Sequence, residues 1–68
     1  MIILYERFKR LCEERGVVPF QVAKATGIAP STFYDWKAGR ARPKADKMYK
    51  IAKFFGVPVT VFIEGEGE

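Results

Sequence analysis

The sequence predicts an all-α fold, a compact bundle of five short helices, and three observations predict it. Apolar residues recur at helical spacing in successive windows along the chain. Glycine closes one window and proline sits at or near the start of the next, at Gly16 and Pro19, Gly27 and Pro30, Gly39 and Pro43, Gly56 and Pro58. The one strand-like alternation, Val57, Val59 and Val61, has no second strand to join, and a lone strand is not stable.

The first helix is expected from about Ile3 to Arg15. Leu4, Phe8 and Leu11 fall at i, i+4 and i+7, with Glu6, Arg7, Lys9, Arg10, Glu13 and Glu14 between them, and Gly16 stops it. The second opens at Pro19, whose fixed φ suits a first helical turn, and presents Val22, Ala23 and Thr26 on a narrow buried face before Gly27. A third starts at Pro30 and runs through Ser31, Thr32 and on to Ala38, with Phe33 and Trp36 three apart on its inward side. Gly39 supplies its C-terminal cap, and Pro43 disfavours helix at Arg42, so 39–44 is a loop. Met48, Ile51, Ala52 and Phe55 define a fourth helix ended by Gly56. After Pro58 a short fifth helix is expected to pack Val59, Phe62 and Ile63.

A chain of 68 residues, about half of them apolar, is one small folded domain. We assign residues 1–63 to it and read 64–68, the EGEGE ending, as an acidic tail or linker. Nothing in the chain reaches the run of about 18 apolar residues that spans a bilayer, and Glu6 and Arg7 interrupt the opening MIIL before it could act as a signal peptide. The expected compartment is the cytoplasm, with no membrane partner. Cys12 is the single cysteine and there is no histidine, so neither an internal disulfide nor the usual Cys/His zinc site is expected, and no cofactor is implied. The same lack removes Ser/His and Cys/His catalysis, so an enzyme is not expected.

Charge is distributed in blocks. Residues 1–36 balance at +1, residues 37–53 at +6, and 64–68 at −3, for a net charge of +4. A local excess of that size favours a polyanion, because neutralised phosphates release their condensed counterions. Lys47, Lys50 and Lys53 recur every third residue as a solvated helix face would, whereas Arg40 and Arg42 flank alanine in the expected loop.

Two short helices joined by a glycine turn of about three residues describe a helix-turn-helix, whose second helix enters the DNA major groove. Ala23 falls where helices 2 and 3 approach closely, Gly27 where the chain turns, and Phe33 where the angle needs a plug. Helix 3 then offers Ser31, Tyr34 and Asp35 to base edges. Tyr34 suits a thymine methyl or a phosphate, and Asp35 either accepts from a cytosine amino group or pairs with a nearby Lys or Arg. Thr32 suits a phosphate, and Lys24, Arg40, Arg42 and Lys44 suit the sugar-phosphate backbone. Phe33 and Trp36 belong to the core, which argues against single-stranded nucleic acid, whose readers expose rings for stacking.

With FQVAKATGIAPSTFYDWKAGRARP and KMYKIAKFFGVPV on view, the sequence resembles the Xre/Cro-type, lambda-repressor-like helix-turn-helix domains over roughly Leu4 to Ile63. The W-x-x-G-x-x-x-P ending is met by Trp36, Gly39 and Pro43, and I-A-x-x-x-G-V by Ile51, Ala52, Gly56 and Val57; the DWK–G–R ending is phage-repressor-like. The resemblance implies a five-helix lambda-repressor-like bundle that binds a double-stranded DNA operator as a homodimer, helix 3 reading and loop 39–44 on the backbone. It also implies a transcriptional regulator, a repressor by occlusion. The alternative is a protein-interaction module such as an antitoxin, with DNA binding secondary or lost.

Two departures stand out. The family usually caps helix 2 with Ser, Thr or Asn and follows it with a phosphate-holding Gln; Val18 and Pro19 stand there instead, and Gln21, two residues on, either compensates or is simply exposed. Many members bury an Arg in helix 1 against a Glu in helix 3, where this chain has Cys12 and Lys37. Loss of both together is what energetics require, since one orphaned buried charge costs roughly 3–5 kcal/mol. Cys12 then reads as a small buried hydrophobe. Dimer surfaces suggested by apolar leftovers are Tyr49, Phe54, Val61 and Ile63, with a further domain beyond EGEGE as the other route to a dimer.

Overall fold

The computed structural model describes residues 2–64, the side chains of Ile2, Ile3 and Glu64 excepted. Four α-helices follow in order: α1 (Tyr5–Arg15), α2 (Pro19–Thr26), α3 (Pro30–Ala38) and α4 (Ala45–Phe55). A 3₁₀ turn at Val59–Phe62 follows α4, and β1 (Ile2–Ile3) pairs antiparallel with β2 (Ile63–Glu64) in the register Ile2 to Glu64 and Ile3 to Ile63. The class is all-α; α2 and α3 fall where the sequence places them, and α1 begins two residues later than expected.

Two expectations need correction. The fifth helix is only the 3₁₀ turn, and the chain does hold a sheet, a two-stranded ribbon that ties its ends together. The C-terminal segment finds its partner in the opening residues, and the Leu4 N–H extends the ribbon by donating to the Phe62 carbonyl at 2.8 Å. Residues given to strand pairing cannot also begin α1, which explains the late start. Of the tail expected at 64–68, Glu64 is the second residue of β2 and 65–68 lie outside the described residues.

Phe8 is the centre of the core. It is fully buried and packs against Tyr5, Phe33, Trp36 and Phe55 at ring-centroid distances of 5.5, 5.1, 5.3 and 6.1 Å. Such aromatic pairs contribute about 0.5–1.5 kcal/mol each beyond their area, so one side chain of α1 fastens α3 and α4. Met48, Ile51, Ala52 and Phe55 are all buried, as the spacing of α4 requires, and Phe62 from the 3₁₀ turn closes the bottom. α2 packs on both α3 and α4, and the 3₁₀ turn on α1 and α4.

Charged side chains of α1 serve the fold. Arg15 donates from Nη1 to the Phe55 carbonyl at 2.8 Å and lies 5.9 Å over the Phe55 ring, joining the C-terminal ends of α1 and α4. Arg7 reaches the Val61 carbonyl at 3.4 Å. Cys12 is buried, and that burial, with Glu13 adding to it, pushes its thiol from 9.0 up to about 11. The thiol is therefore protonated at neutral pH and behaves as the small hydrophobe expected. Lys37, opposite in the inherited pairing scheme, is exposed, so no buried charge is left behind.

Candidate nucleic-acid interface

The turn between α2 and α3 is set by Gly27, at φ +78°, a left-handed conformation that side chains with a Cβ resist. Its N–H donates to the Ala23 carbonyl at 2.9 Å, the simple left-handed cap. The next N–H, of Ile28, is taken by the Thr26 hydroxyl at 3.4 Å, while that hydroxyl donates to the Val22 carbonyl at 2.7 Å. The chain is thus released from α2 and buries Ile28 before Pro30 opens α3. Ala23 is buried beside Val22 on the face of α2 that meets the other helices.

With Phe33 and Trp36 buried, the opposite side of α3 is left to solvent. Ser31 and Tyr34 are exposed, Tyr34 at 71 %, while Thr32 and Asp35 are half-buried. Arg42 and Lys44 are exposed in the loop that follows, and Gln21 and Lys24 are exposed on α2. The outer side of α3 and the basic loop after it are therefore on the surface, as the sequence spacing requires.

Four of the expected site residues have partners within the chain. Arg40 donates from Nε and Nη2 to Asp35 Oδ1 at 3.1 and 3.0 Å, an ion pair at the surface. The cap creates it: the Arg40 N–H folds back to the Asp35 carbonyl at 2.9 Å and the Gly39 N–H to that of Trp36 at 3.1 Å, so the guanidinium lands on the carboxylate one turn earlier. Gln21 caps α2, its Oε1 accepting from the Val18 N–H at 2.8 Å, which leaves the amide N–H groups as its donors toward a partner. Lys24 holds its ammonium 5.7 Å over the Phe20 ring.

The sequence reading missed a groove of about 270 Å³ at the joint start of α2 and α3. Val18, Pro19 and Phe20 line one side, Pro30, Tyr34 and Lys37 the other, with Tyr5 of α1 and the buried ring of Phe33 completing the lining. Val18 and Phe20 are 54 % and 59 % exposed. A signal was present: both lie off the Val22–Ala23 face of α2, so helical spacing has no core place for them. Of the apolar leftovers, Tyr49 and Phe54 are exposed, whereas Val61 is half-buried against the core and Ile63 is half-buried in the ribbon.

Two short helices set at a glycine turn, the second exposed along one side and followed by a basic loop, define a helix-turn-helix domain. The chain belongs to that family, whose description is "Helix-turn-helix domain" and which matches residues 5–68. It is 30 % identical over 57 residues to a cryptic phage CTXphi transcriptional repressor, RstR, of Vibrio cholerae, a match covering 84 % of this chain and 51 % of that protein. The crystal structure of a transcriptional regulator from Listeria innocua has the same fold, with a TM-score of 0.76 at 22 % identity over 94 % of this chain and 60 % of the other. This chain thus spans about half the length of the curated relative it matches. The resemblance to Xre-type domains is borne out. Among the described residues no helix is long and apolar enough to cross a membrane.

Proposed function

We propose that the chain is a sequence-specific binder of double-stranded DNA that acts in the cytoplasm as a transcriptional repressor. One observation carries this reading: α3 turns Phe33 and Trp36 inward and leaves Ser31, Tyr34 and Asp35 on the outer side, directly before Arg40, Arg42 and Lys44. Ser31 and Tyr34 face base edges, and Arg42, Lys44 and Lys24, with Thr32 and the free amide donors of Gln21, hold phosphates that fix the helix in register. Repression is the role that the name of the Vibrio relative gives to that protein, and in this reading it follows from occlusion of a promoter. A homodimer on a two-fold operator supplies the affinity that one short helix cannot.

The test is selection from a random duplex library by the purified chain at two salt concentrations. Enrichment of a palindrome is expected, with log affinity falling steeply in log salt. Arg42→Ala with Lys44→Ala should weaken all sequences alike and flatten the slope by about two, since each phosphate contact contributes about one. No enrichment and no salt slope would sink the DNA reading and leave a protein partner as the target.

A further inference from the structure

We propose that the groove between the starts of α2 and α3 receives the 5-methyl group of a thymine at the edge of each half-site. This rests on the DNA reading above and names how one part of the sequence is read.

Five large apolar side chains are exposed among the described residues, and three of them, Val18, Phe20 and Tyr34, line this one groove. An apolar concentration of that kind marks a binding surface. The position fixes the occupant, because Tyr34 and Pro30 are part of the reading helix itself, so whatever fills the groove lies against the same ligand that α3 reads.

Phosphate is a poor occupant for its α2 wall. Pro19 has no N–H, the Val18 N–H is held by Gln21 Oε1 at 2.8 Å, and the Gln21 N–H is held by the Val18 carbonyl at 2.9 Å. Of the donors that normally make a helix start attractive to an anion, only the Phe20 N–H remains, which is a weak cradle for a phosphate. What duplex DNA offers an apolar wall in the major groove is the thymine methyl. The cations sit where a nucleotide needs them: Lys37 at the groove and Lys24 above the Phe20 ring bring ammonium groups to the rim, toward the flanking phosphates.

The experiment uses the operator found by selection, with each thymine replaced in turn by deoxyuridine, which deletes only the methyl. Burial of one methyl-sized group predicts about a fourfold loss of affinity at one position of each half-site. Phe20→Ala and Tyr34→Ala, both at exposed sites, should bind the thymine operator more weakly and no longer distinguish thymine from uracil at that position. Thermal melting checks that both variants are folded. Specific binding with no uracil effect anywhere overturns the proposal, as does a uracil effect that both variants retain. Loss of affinity in Phe20→Ala toward a protein ligand alone, with thymine discrimination intact, also overturns it. Absence of any specific duplex binding overturns the DNA reading first, so the two failures are told apart.

Discussion

Asp35 and Arg40 hold each other at the edge of the reading helix, and that contact bears on both roles assigned to them. An exposed pair such as this contributes only about 0.2–1 kcal/mol to folding, so its significance lies with DNA. While the pair is closed, the carboxylate screens the guanidinium from phosphate and is itself kept from a cytosine amino group. Asp35→Asn preserves the shape and removes the charge. If the pair is the carboxylate's purpose, Asp35→Asn should bind all duplexes more tightly and steepen the salt slope by about one as Arg40 turns to the backbone. In an Arg40→Ala background the gain should vanish. A change in base preference at one operator position, with the slope unchanged, would instead make Asp35 a reader of cytosine. Binding by the four proteins of this cycle, measured over a salt series, separates the two.

At the scale of elements, the helix-turn-helix depends on Gly27 more for its conformation than for space. Beyond its immediate chain neighbours no atom lies within 4 Å of where its Cβ would be, yet its φ is +78°. Gly27→Ala should therefore cost the strain of the left-handed region, about 1–2 kcal/mol, which in a domain of this size lowers Tm by about 5–15 °C. Gly27→Asn should cost less, because asparagine tolerates that region. Equal losses in melting for the two variants would point to a steric or packing cause in place of backbone strain. This turn was legible in the sequence because its signals are local: the glycine, the small Ala23 and the prolines act within a few residues. The β1–β2 ribbon was not legible for the opposite reason. Its strands are two residues each, too short for alternation to register, and they meet from opposite ends of the chain. The groove was hidden for a third reason, since it exists only when Val18 and Phe20 of one helix are set against Tyr34 and Lys37 of another. The Asp35–Arg40 pair lay between these extremes: a partner for Asp35 was foreseeable, but choosing Arg40 required the cap at Gly39.

For the whole molecule, the arrangement makes a rigid unit with a single α3 to offer, so under the proposed DNA reading high affinity requires two copies. The ribbon and Arg15 lock the C-terminal segment and α4 to α1, and Phe8 locks α1 to α3. A second copy held to the first would therefore place its α3 at a fixed distance and angle. On straight B-DNA that distance must match one helical turn, about 34 Å. The exposed rings of Tyr49 and Phe54 on α4 are the apolar groups left for such a contact, now that Val61 and Ile63 are taken up by the fold. A palindromic operator should bind far more tightly than either half alone, since the second site is filled at the high effective concentration that linkage provides. Inserting about half a turn of DNA between the half-sites should remove that gain by moving one of them to the opposite face. Tyr49→Ala with Phe54→Ala should reduce binding to the level of a single half-site while leaving that level unchanged. Titration of spaced operators, with sedimentation of the free and bound chain, reads both effects. Affinity that is insensitive to spacing, or a variant that still binds the full operator with the gain intact, would rule out a dimer built through α4.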